Sequence, residues 1–106
     1  MDKNKILKKF SSTLFIDKEK MRDYFKDNNL ENFDETLKEF ENMRTATFNI
    51  IWNKSEHSQF TVKEIQNLSE KYLKENHAWI NEDGIKAVNS YLLWMCWHEG
   101  ILKVNK

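Results

Sequence analysis

Phe60-Thr61-Val62-Lys63-Glu64-Ile65 packs two helix-start signals into six residues. Thr61 and Glu64 stand three apart, the spacing of a capping box, in which each side chain accepts a hydrogen bond from the other residue's backbone N–H. Phe60 and Ile65 flank the pair at the positions of a hydrophobic staple. A helix therefore starts at Thr61. The apolar residues that follow, Val62, Ile65, Leu68, Tyr72 and Leu73, recur at the helical spacing of three and four.

Working outward, the same staple geometry appears twice more. Ile16 and Met21 flank a start at Asp17, and Ile80 and Ile85 flank one at Asn81. Asp34, just after the turn-forming Asp27-Asn28-Asn29, predicts a further N-cap. Ile6, Leu7, Phe10 and Leu14 then predict a first helix, and Met21, Tyr24 and Phe25 a short second one. Leu37, Phe40, Met43, Thr47, Phe48, Ile51 and Trp52 predict a long third helix over roughly 34–53. Ile85, Val88, Leu92, Met95 and Cys96 predict the last. The 106 residues include no proline and only two glycines, Gly84 and Gly100, which starves β-turns and phosphate-cradling loops alike. With 40% hydrophobic and 13% aromatic residues a real core is expected. The fold class read from this is all-α: a compact single-domain bundle of about five helices. Its N-terminal helices fall in 1–33, and the part of most interest covers 34–106.

Composition narrows the function classes. No 18-residue apolar run and no signal-peptide pattern are present, so a soluble, cytoplasmic protein with no membrane partner is expected. One cysteine excludes an internal disulfide framework and a multi-cysteine zinc site. Lysine outnumbers arginine fifteen to two and asparagine occurs twelve times, the bias of an AT-rich genome such as a low-GC bacterium or its phages. Seventeen basic residues balance seventeen acidic ones, which disfavours direct DNA binding. That balance hides segregation: +4 over residues 1–26, −5 over 27–42 and +1 over the remainder. Glu35, Glu39 and Glu41 are the core of a candidate acidic patch for a basic partner surface, a device that favours on-rate and specificity.

The run Thr61-Val62-Lys63-Glu64-Ile65, then Val88 and Leu92, then Gly100-Ile101-Leu102-Lys103-Val104, with Arg44 to Trp52 as the preceding helix, resembles a winged helix-turn-helix. The resemblance covers roughly residues 44–104. It implies a helix-turn-helix-like C-terminal half with at most one short terminal strand. It also implies a recognition helix in which Lys86, Asn89 and Ser90, helped by Lys63, would lie near DNA. That helix opens with Asn81-Glu82-Asp83-Gly84, where two acids would face phosphates, and phosphate contacts supply most DNA affinity.

Tyr91-Leu92-Leu93-Trp94-Met95-Cys96-Trp97 is apolar over almost two helical turns. A helix hydrophobic all round is either central in its domain or covered by another chain. In the second case Trp94, Trp97 and Ile101, spaced at three and four, protrude as a contact face beside His98.

Chemistry-bearing constellations are sparse. The histidines are His57, His77 and His98, and the residue four after His98 is Leu102, so the His-Glu-x-x-His zinc pair is missing. Cys96, set among aromatics, reads as a small buried hydrophobe. Ser69 and Ser90 lack nucleophile-elbow glycines. Glu70 and Glu75, five apart, read as solvated positions. No cofactor, metal or catalytic role is expected. The expected function is a non-enzymatic protein-binding module, similar in general character to small phage or mobile-element inhibitors of the anti-CRISPR and anti-defence kind. It would dock on a larger protein or nucleoprotein complex through Trp94, Trp97, His98 and Ile101, with Glu35, Glu39 and Glu41 as a second patch. The alternative is a helix-turn-helix DNA-binding transcriptional regulator, and self-association through the aromatic helix as a homodimer is a third expectation.

Overall fold

The computed structural model describes residues 1–11, 14–55 and 58–103. His57 and Val104 lie outside the described residues. Five helices follow one another: α1 (Lys3–Phe10), α2 (Lys18–Asp27), α3 (Phe33–Ser55), α4 (Val62–Asn76) and α5 (Glu82–His98). They form the small all-α single-domain bundle that the periodicity predicts.

The caps explain most of the boundaries. Asp2 accepts from the Asn4 and Lys5 amides and opens α1. Asp17 accepts from Lys20 and opens α2, with Ile16 and Met21 buried as its staple. At α4 the capping box closes in both directions, the Glu64 amide donating to Thr61 Oγ1 at 3.2 Å and the Thr61 amide to Glu64 Oε1 at 3.0 Å. Those Thr61 contacts hold the Glu64 carboxyl below its ordinary pKa. Asn81 caps α5 through the Asp83 and Gly84 amides.

Two boundaries differ from the sequence reading. The first helix ends at Phe10 and does not run on to Leu14. Ser11 leaves helical dihedrals and bridges antiparallel to Ile16, and the Asp17 amide donates to the Phe10 carbonyl at 2.8 Å. The residue at that turn is Ser11, of a type that favours helix ends over helix interiors. Asp34 is not the cap of α3 but sits in its first turn. Asn32, at φ 63°, takes the cap's place by accepting from both the amide and the hydroxyl of Thr36.

Two helices end in the same way. After α2 the Asn29 amide donates to the Lys26 carbonyl and Leu30 to Phe25, with Asn29 left-handed at φ 52°. After α5 the Gly100 amide donates to Trp97 and Ile101 to Cys96, with Gly100 at φ 77°. Both are Schellman motifs, in which the residue after the left-handed one folds back onto the last turn. Leu102 then pairs with Phe60 in a single parallel bridge, with Phe60 donating to Ile101 and Lys103 to Phe60. The short terminal strand expected from the sequence is reduced to this bridge among the described residues.

Helix α5 is the centre of the bundle and packs against α1, α3 and α4. Val88, Leu92 and Cys96 are fully buried, together with Phe40 and Met43 of α3, Ile65 and Leu73 of α4 and Met21 of α2. The apolar run of α5 is therefore a core stripe first. No helix among the described residues is long and apolar enough to cross a membrane.

Candidate functional site

Helices α4 and α5 lie side by side with a groove between them. Positions 62, 63, 66, 67 and 70 form one face of α4, and positions 82, 85, 86 and 89 form one face of α5, each set at the spacing that shares a helix side. The groove has a volume of about 1050 Å³. Val62, Ile85 and Leu102 give it an apolar floor, and the Trp97 ring closes one end.

Its two ends differ in charge. At the Trp97 end stand Lys63 and Lys103, with Lys86 further along. At the other end stand Glu70 and Glu82. Lys74 reaches Glu70 Oε1 at 2.7 Å, and Glu70 with Glu82 raises the Lys74 pKa.

The predicted contact residues separate in space. Trp97 is 59% exposed. Trp94 is half-buried and stacks on exposed His98, with ring centroids 4.9 Å apart and planes 12° from parallel. Ile101 does not protrude with them: it is 6% exposed. The Schellman motif is the reason, since it turns Ile101 back onto Cys96. Trp52, 45% exposed at the end of α3 and packed near Phe48, was not singled out from the sequence. It borders a second cleft of about 400 Å³ with Glu99, Gly100 and Ile101. Its position on the α3 periodicity suggested core, so no sequence signal marked it.

The acidic patch is partly internal. Glu39 accepts from Lys3 Nζ through both oxygens at 3.0 Å, and Glu41 pairs with Lys18 at 3.7 Å. Two acids of α3 are thus paired with lysines of the basic N-terminal helices. Glu35 is exposed in the first turn of α3.

Of the residues assigned to the DNA alternative, Lys63, Lys86 and Asn89 line the groove, whereas Ser90 is exposed outside it. Asn89 is 9% exposed, so it is no freely projecting reader. The head of α5 is braced by α1. Asn4 Nδ2 donates to the Trp79 carbonyl at 2.8 Å, Asn4 Oδ1 accepts from the Asn81 amide at 2.9 Å, and Lys8 faces Asp83 at 3.6 Å. Asn4 has no sequence signature, because its role depends on a partner 77 residues away.

Other reactive groups are held quiet. Burial pushes the Cys96 thiol up to about 11. Burial also lowers the His77 pKa, with Glu39 opposing and Lys3 assisting. Burial lowers the pKa of Arg44, whose guanidinium lies 4.0 Å over Tyr91 and donates to the Leu14 carbonyl. Among the described residues no three His, Cys, Asp or Glu side chains gather into a group that can hold a metal. No protein-family profile, curated protein or solved structure matches this chain.

Proposed function

We propose that this chain is a non-enzymatic protein-binding module that docks on a larger protein or nucleoprotein complex through the C-terminal end of α5, as an inhibitor or adaptor of the anti-defence kind. One observation carries the reading. Trp97 is 59% exposed on the wall of a groove, while Cys96 beside it is fully buried. Covering the exposed part of a tryptophan removes on the order of 150 Å² from water, or roughly 4 kcal/mol before association costs. Trp52 and Val62, also exposed, extend the apolar area of the chain.

Exposed tryptophan at the rim of a cleft is the composition of a binding hot spot. The helix that carries it packs against three others, so its backbone has little left to order on binding. An affinity pull-down from a low-GC bacterial lysate, with and without nuclease, compares the parent with Trp97→Ala. A stoichiometric, nuclease-resistant protein lost on Trp97→Ala is the expected result. Recovery only through nucleic acid turns the assignment to the helix-turn-helix regulator, whose lysines line the same groove.

A further inference from the structure

Asn89 is the unusual residue of the groove. The residue is 9% exposed, lines the cleft, and has a buried Oδ1 with no hydrogen-bond partner among the described residues. Buried amides in folded proteins are nearly always bonded, so an unengaged one at a cleft wall points to a missing ligand group. The terminal torsion of asparagine is broad, so rotation about Cβ–Cγ exchanges the oxygen and the NH₂ and can bring either one to the groove.

We infer that the α4–α5 groove binds an extended peptide segment of the protein partner. Its apolar side chain rests on Trp97, Val62 and Leu102, its carboxylate meets Lys63 and Lys103, and its backbone is held by the Asn89 carboxamide. This rests on the protein-binding reading above. Two features select the occupant. A carboxamide turned to the groove offers a donor or an acceptor to the free C=O or N–H of a residue in an extended chain. A helical ligand has those groups bonded internally and leaves Asn89 unanswered.

Charge selects the composition. Among the described residues Lys63, Lys86 and Lys103 form no ion pair within 4 Å, Glu64 being the one carboxylate whose charge Lys103 feels and being held by the Thr61 capping box, whereas Glu70 is engaged by Lys74. The Trp97 end is therefore the one that attracts carboxylates. A duplex fits less well, because Glu70 and Glu82 occupy the far end of the same groove and repel phosphates.

The probe is a displayed library of random linear 12-residue peptides, selected on the intact protein. A selected peptide, fluorescein-labelled, is then titrated by anisotropy. The expected consensus is an aromatic or aliphatic residue next to Asp or Glu. Affinity is expected to fall about tenfold on Asn89→Leu, which keeps the branching and the number of heavy atoms and removes the carboxamide, and similarly on Lys63→Glu at the exposed rim. Lys20→Glu on α2, far along the chain from the groove, is expected to leave it unchanged. Circular dichroism confirms that each variant is folded, and Lys63→Glu keeps the test informative if Asn89→Leu does not fold. Four results overturn the inference: no enriched linear motif, a basic consensus, binding indifferent to Asn89→Leu and Lys63→Glu, or a Lys63-dependent dimer or duplex complex in place of the peptide. If selection yields nothing while the pull-down still returns a Trp97-dependent protein, the partner presents a folded surface. The peptide inference then falls and the protein-binding reading stands.

Discussion

Replacing Gly84 by alanine tests the seam that holds the centre of the bundle. In an exposed helix interior this change is stabilising by about 0.8–1 kcal/mol, because glycine is the more flexible residue in the unfolded chain. At Gly84 the added Cβ would stand 2.4 Å from Asn4 Oδ1 and 2.7 Å from Ile80 Cγ1. Both are far inside ordinary contact. Asn4 cannot step aside freely, since it bonds the Trp79 carbonyl and the Asn81 amide. Overpacking typically costs about 1–3 kcal/mol, and each strained or lost hydrogen bond adds about 1 kcal/mol. The unfavourable terms win, with an expected net loss of about 2 kcal/mol after the propensity gain. Unfolding entropy of roughly 2.1 cal/mol/K per residue then converts this to a Tm lowered by about 9 °C. Thermal and urea melts followed by circular dichroism measure it. Asn4→Ala alone is also destabilising, but combined with Gly84→Ala it should cost less than the sum, because the space the Cβ needs has been freed. A raised Tm for Gly84→Ala, or a strictly additive cycle, would show that α1 does not press on α5 at this point.

Three further outcomes follow from the packing. Ser69 is fully buried and its hydroxyl has no partner among the described residues, so Ser69→Ala should stabilise by about 1 kcal/mol in a urea melt; a loss would mean that the hydroxyl is satisfied. Gly100→Ala meets no atom within 4 Å, yet φ of 77° strains any side chain, so a loss of about 1 kcal/mol should appear with no defect elsewhere in the core, seen as unchanged near-ultraviolet dichroism. The Cys96 thiol, raised to about 11 from about 9 by burial, should resist alkylation by iodoacetamide at pH 8 until the chain unfolds. Because the folded pKa lies above the unfolded one, the stability from the neutral thiol is whole below pH 9 and is lost as pH climbs toward 11; Cys96→Ala should flatten that alkaline slope, and an unchanged slope would contradict the assignment.

Local grammar made most of the fold legible. The capping box at Thr61 and the staples at Ile16 and Ile80 each join residues only a few positions apart, and all three helix starts are where they predict. Errors arose where a choice depended on what comes next along or across the chain. Asp34 is a good cap residue, but Asn32 reached the left-handed conformation two positions earlier and took the boundary. Leu14 continues the spacing of α1, but the backbone had already turned at Ser11. The site divides similarly. Trp97 and Lys63 were visible as residue types in a helical register. Asn89 was visible only as a polar position, since its burial arises from α4 lying beside it. Ile101 was misplaced because spacing was extended past the helix end. Gly100 followed by an aliphatic residue signals a fold-back, and with that signal the correct side was available.

The same fold-back explains how one helix can be both core and contact. Residues 88, 92 and 96 of α5 are buried, which fixes the rotation of the helix about its axis. Trp97 follows Cys96 by about 100° of that rotation, which carries it off the buried stripe, and near the helix end it stays 59% exposed. Ile101, tied by its amide to Cys96 and by its carbonyl to Phe60, then locks the helix end against the start of α4. The backbone that carries Trp97 is fixed in this way before a partner covers the ring, and Lys63 of α4 and Lys86 of α5 line the same groove. The apolar run is thus one feature with two consequences: its buried side sets the register, and the register presents the tryptophan.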